Sequence, residues 1–92
     1  MTWEEKLSAL QNLCDVCIRM RKPGDWYVSS SRMDIAGDGF LTGSYGNGAT
    51  PEDAVTQHWD IYAVNLPSDR YIRVGDKNFR WVGFMWKEIP TP

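Results

Sequence analysis

Leu41-Thr42-Gly43-Ser44-Tyr45-Gly46-Asn47-Gly48-Ala49-Thr50-Pro51-Glu52-Asp53-Ala54-Val55-Thr56-Gln57-His58-Trp59 decides how this chain folds. It reads as the end of a strand, a glycine-rich loop and a capped helix. Thr50 suits the N-cap and Pro51 the first helical position. Glu52 and Asp53 place negative charge where the helix dipole is positive. The helix is expected to run from Pro51 to about Val64, with Val55, Trp59 and Tyr62 on one face. Asn65 and Pro67 end it.

Working outward, Thr2 to Arg21 reads as a first helix. Thr2-Trp3-Glu4-Glu5 has capping-box spacing. Leu7, Leu10, Cys14, Cys17 and Ile18 recur at helical intervals, and Pro23-Gly24 stops the run. Trp26 to Ile35 reads as a strand, Gly37-Asp38-Gly39 as a turn, and Phe40 to Tyr45 as the return strand. After the second helix come a strand at 71–74, a turn at 75–78 and an aromatic strand from Phe79 to Ile89. Gly83 is either a bulge in that last strand or the turn of a further hairpin. Residues 90–92 form a tail. The expected order is α-β-β-α-β-β: one α+β domain over 1–92, with two helices packed on one face of an antiparallel sheet.

Composition bounds the function. The chain has 92 residues, 42% hydrophobic and 24% charged, with five Trp. That is one small domain, in which large aromatics bury much area per residue. A net charge of −2 argues against a general nucleic-acid binder. The one basic cluster, Arg19-Met20-Arg21-Lys22, is expected to complement the dipole at the end of the first helix. No run approaches the length of a membrane helix, and the acidic N-terminus lacks a signal-peptide apolar region. A cytoplasmic location with reduced cysteines is the expectation.

The motifs are weighed against plainer readings. Gly43-x-x-x-x-Gly48-Ala49-Thr50 has Walker A glycine spacing, but Ala49 stands where the phosphate-binding lysine belongs. Gly46, Asn47, Gly48 and Thr50 are therefore either an anion loop at a helix N-terminus or a tight turn needing positive φ. Asp34-Ile35-Ala36-Gly37-Asp38-Gly39 hints at a calcium loop, yet Ala36 and Tyr45 stand where oxygen ligands are required. Cys14-Asp15-Val16-Cys17 reads as two buried helix cysteines rather than a redox or zinc site. His58 is the only histidine and reads as a packing or interface residue. No catalytic residue, cofactor or metal is assigned. Arg73, Arg80, Trp81, Phe84 and Trp86 mix bases with aromatics; they are either core or a partner-binding face.

Two resemblances follow from these motifs. Gly48-Ala49-Thr50-Pro51-Glu52-Asp53-Ala54-Val55 after a hairpin resembles the strand-to-helix step of HicB-type antitoxin domains. Asp25-Trp26-Tyr27-Val28, Gly46 to Val55 with Trp59, and Trp81-Val82-Gly83-Phe84-Met85-Trp86 resemble short accessory proteins of tailed phages and prophages. The second resemblance implies a non-enzymatic stoichiometric binder of a host protein, for example a CRISPR-type defence effector, working as a monomer or homodimer in the host cytosol. The alternative is a nucleotide or nucleic-acid binding module using the glycine loop and the aromatic sheet.

Overall fold

The computed structural model describes residues 1–90, so of the expected tail at 90–92 only Pro90 lies within the described residues. The elements are α1 (Trp3–Gln11), β1 (Val16–Lys22), β2 (Asp25–Gly37), β3 (Phe40–Gly48), α2 (Pro51–Trp59), a π-helical turn (Asp60–Val64), β4 (Tyr71–Val74), β5 (Lys77–Trp81) and β6 (Trp86–Ile89). The architecture is α+β, with both helices packed on an antiparallel six-stranded sheet. The expected order lacked two strands, β1 and the separate β6.

The first helix is nine residues long, not twenty. Its capping box forms as expected: the Thr2 amide donates to Glu5 Oε1 at 2.8 Å, and the Glu5 amide donates to Thr2 Oγ1 at 3.2 Å. Beyond Asn12 the chain turns and becomes β1. Val16, Ile18 and Met20 alternate with Cys17, Arg19 and Arg21, a two-residue period that coexists with the helical one in this stretch. Pairing with β2 selects the strand, where β-branched Val16 and Ile18 fit well. Pro23-Gly24 is thus a hairpin turn rather than a helix stop.

β2 organises the sheet. It pairs with β1 along Asp25–Ser30, with β4 along Met33–Ala36, and with β3 along both halves. Between the halves the register with β3 shifts, and Arg32 adopts a left-handed φ of 64°. The β2–β3 turn holds Asp38 and Gly39, both at positive φ, as a tight two-residue hairpin requires. The residues of the calcium-like motif are therefore strand and turn.

The core lies between the helices and one sheet face. Ile35, Ile72 and Phe79 sit directly across from one another on β2, β4 and β5. Leu10, Met33, Ile35, Trp59, Ala63 and Ile72 form one buried cluster, and Val28, Ala54 and Val55 a second. The second helix begins as expected, with Thr50 Oγ1 accepting from the Asp53 amide at 3.1 Å. Its last turn widens into the π-helical Asp60–Val64.

Candidate functional site

The glycines of the quoted stretch belong to β3 and none of them has positive φ. The expected tight turn is absent, and the role of Gly46 and Gly48 is close approach. A Cβ on Gly46 would stand 2.1 Å from the Ala54 carbonyl oxygen, and one on Gly48 would stand 2.6 Å from the Ala54 amide nitrogen. The backbone of α2 thus lies directly on β3. Three positions beside that contact offer no free amide. The Asn47 amide donates to Gln57 Oε1 at 2.6 Å, the Asp53 amide is capped by Thr50, and Pro51 has no N–H.

His58 fills the next position along that contact and is fully buried. Ser44 gives its hydroxyl proton to the Tyr62 carbonyl at 2.7 Å, leaving its oxygen to accept from His58 Nδ1–H at 3.4 Å. Nε2 then accepts from the Ser30 hydroxyl at 2.9 Å. This chain of bonds holds a neutral imidazole, and burial pushes the His58 pKa down. The register shift in β2 lets Ser30 and Ser44 reach the ring from two strands. His58 is a packing residue joining α2, β2 and β3.

Neither cysteine lies in a helix, and only Cys14 packs against the core. Cys14 follows α1 and is half-buried; Cys17 is exposed on β1. Burial pushes the Cys14 thiol pKa up, so it stays protonated and is a poor nucleophile or ligand. Arg19 Nε lies 3.2 Å from Cys17 Sγ. Among the described residues, no three His, Cys, Asp or Glu side chains are grouped to hold a metal ion. Among the described residues no helix is long and apolar enough to cross a membrane.

Four of the five aromatic and basic candidates come together in one hairpin. Trp81 and Trp86 face each other across β5 and β6. Their rings meet Trp59 edge-on, with centroids 4.8 and 5.7 Å from it and 5.3 Å from each other. Trp86 Nε1 also donates to the Ala9 carbonyl at 2.8 Å. That carbonyl is among those a helix end leaves without an internal partner. These two tryptophans therefore anchor the hairpin to both helices. Phe84 does the opposite. It sits in the turn at 82–85, 78% exposed, between exposed Val82 and Met85. Gly83 at φ 99° makes that turn possible, so the hairpin reading of Val82-Gly83 holds and the bulge reading does not.

The arginines lie apart from the tryptophans. By strand alternation Arg73 and Arg80 point away from the helix side. Arg73 bonds Asn78 Oδ1 and Tyr71 Oη on that outer face. Arg80 donates to the Ser68 carbonyl at 2.7 Å and stands across from Lys87. Between the hairpin and the end of α1 runs a cleft of about 370 Å³, lined by Asn12, Leu13, Phe79, Trp81, Phe84, Met85 and Trp86.

Sequence reasoning missed a tyrosine column on three elements. Tyr45 stacks on Tyr62 at 4.6 Å and lies 6.2 Å from Tyr27, whose ring carries the Arg21 guanidinium at 5.1 Å. Reading Arg19–Lys22 as a helix end hid it. With β1 placed as a strand, Tyr27 and Arg19 become cross-strand neighbours. Comparison with protein-family models, curated proteins and solved structures gave no match to this chain.

Proposed function

We propose that this chain is a non-enzymatic binding protein that occupies a partner protein's surface with the β5–β6 tip. One observation carries the reading. An aromatic side chain 78% exposed, flanked by exposed Val82 and Met85, is mounted on a hairpin pinned by three packed tryptophans. Such a mount is preorganised, so little ordering cost is incurred on binding. Aromatic residues and Met are enriched at interface centres, and cations such as Arg80 and Lys87 suit a polar rim.

The partner in this reading is a host protein, such as a CRISPR-type or other defence effector, and the mechanism is steric occlusion. The resemblance to short phage and prophage accessory proteins supports that choice. The inert Cys14 and the neutral buried His58 favour a binder over an enzyme. Testing needs Phe84→Ser with Met85→Ser, which removes the tip and leaves the tryptophans alone. The expected result is unchanged melting with at least a tenfold loss of partner affinity. Full retention of partner binding by a folded double variant would sink the reading.

A further inference from the structure

The basic run Arg19-Met20-Arg21-Lys22 complements no helix end, because it lies on β1. Among the described residues β1 pairs with β2 alone, so its other edge is unpaired. Alternation shows which backbone groups point there. The Ser31 amide donates to the Asp15 carbonyl at 2.8 Å, marking 15 and 31 as a hydrogen-bonded pair. In an antiparallel ladder every second pair is bonded, so Cys17 and Arg19 turn their N–H and C=O groups toward β2. Val16, Ile18 and Met20 turn theirs outward. Arg19, Met20, Arg21 and Lys22 are all exposed.

We propose that this edge accepts an acidic, extended polypeptide segment as an added strand. Backbone pairing comes from Ile18 and Met20, and charge selection from Arg19 and Lys22. Arg21 is already committed to Asp25 Oδ1 at 3.0 Å and to Asn47. A second copy is the poorer occupant, because two such edges bring cation against cation; edge cations are a known guard against self-pairing. A polynucleotide could use the cations but not the row of strand N–H and C=O groups. Strand addition draws its affinity from those main-chain groups and its specificity from side chains.

The test is fluorescence anisotropy with three labelled probes: a capped eight-residue peptide alternating Glu and Val, its Lys-Val counterpart, and a twelve-nucleotide oligothymidylate. Saturable binding of the Glu-Val peptide alone is expected, weakened at least tenfold by Arg19→Glu with Lys22→Glu. Met20→Pro deletes an outward N–H without touching the β1–β2 ladder, a kind of strand site where proline is tolerated. It should weaken binding at least fivefold, while Met20→Ala stays within twofold. If Met20→Pro is not folded, slowed hydrogen exchange at the Ile18 and Met20 amides on adding peptide reads the same pairing. Tighter binding of oligothymidylate, no saturable peptide binding, or unchanged exchange at those amides would overturn the proposal. The β5–β6 tip is carried by strands that do not pair with β1. Phe84→Ser should leave peptide binding unchanged, which keeps this proposal separable from the tip reading.

Discussion

Helix α2 meets the sheet in two ways. At Asp53, Ala54 and His58 it lies directly on β3, where Gly46 and Gly48 leave no room for a Cβ. The next residue, Trp59, packs through its side chain against Trp81 and Trp86 instead. The glycine contact buries a histidine network, and among the described residues no buried side-chain N or O atom lacks a partner. The tryptophan contact is bordered by a cleft and an exposed aromatic tip. Glycine contact therefore fixes the helix on β3, and the tryptophan contact ties it to the hairpin that presents a surface.

The comparison can be broken first at the tryptophan contact. Trp59 is buried and touches both other tryptophans, so Trp59→Ala should cost about 4 kcal/mol through lost transfer energy and a cavity. Urea unfolding measures it, and a loss under 2 kcal/mol would mean the tryptophan contact is not what ties the helix to the hairpin. At the glycine contact, Gly46→Ala should cost about 3 kcal/mol, the upper range for overpacking. The clash there is with helix backbone, not with a flexible side chain. The same alanine at Gly43, which has nothing within 4 Å, should be nearly neutral by the same unfolding measurement.

The histidine network sharpens the comparison through pH. Burial lowers the His58 pKa in the folded state below its unfolded value near 6.5. The unfolded chain therefore binds the proton first. Stability from the neutral imidazole is complete above about pH 6.5 and falls as pH drops toward the folded pKa, by up to about 1.4 kcal/mol per unit. Melting temperature against pH should show this fall below about pH 6.5, and His58→Gln should flatten it. The smallest effect is expected at the tip, where Phe84→Ser should change stability by less than about 0.5 kcal/mol.

Much of this fold was legible because local signals agreed. Thr50, Pro51, Glu52 and Asp53 all mark one helix start, and the helix starts there. Thr2 and Glu5 mark another just as clearly. The end of α1 was not legible. Leu7, Leu10, Cys14, Cys17 and Ile18 keep helical spacing while Val16 to Arg21 also keep strand spacing, and only the presence of β2 decides between them. The role of the glycines was hidden for a related reason. A glycine needed for positive φ and one needed for close approach look alike until the helix lies on the strand. The site divides in the same way. Arg73, Arg80, Trp81, Phe84 and Trp86 read alike in sequence, as core or as a partner-binding face. Only the folded sheet separates Trp81 and Trp86 packed on Trp59 from Phe84 in the exposed turn and Arg73 on the outer face. The Arg21–Tyr27–Tyr45–Tyr62 column escaped because its members lie on four elements.

The binding reading is tested most directly by a paired affinity capture from host cells. Wild-type protein and Phe84→Ser/Met85→Ser, matched for melting temperature, would be used as baits and their captured proteins quantified. A partner held in one-to-one ratio by the wild type and lost from the variant is the required result. A partner held equally by both would contradict the claim that the β5–β6 tip is the binding surface.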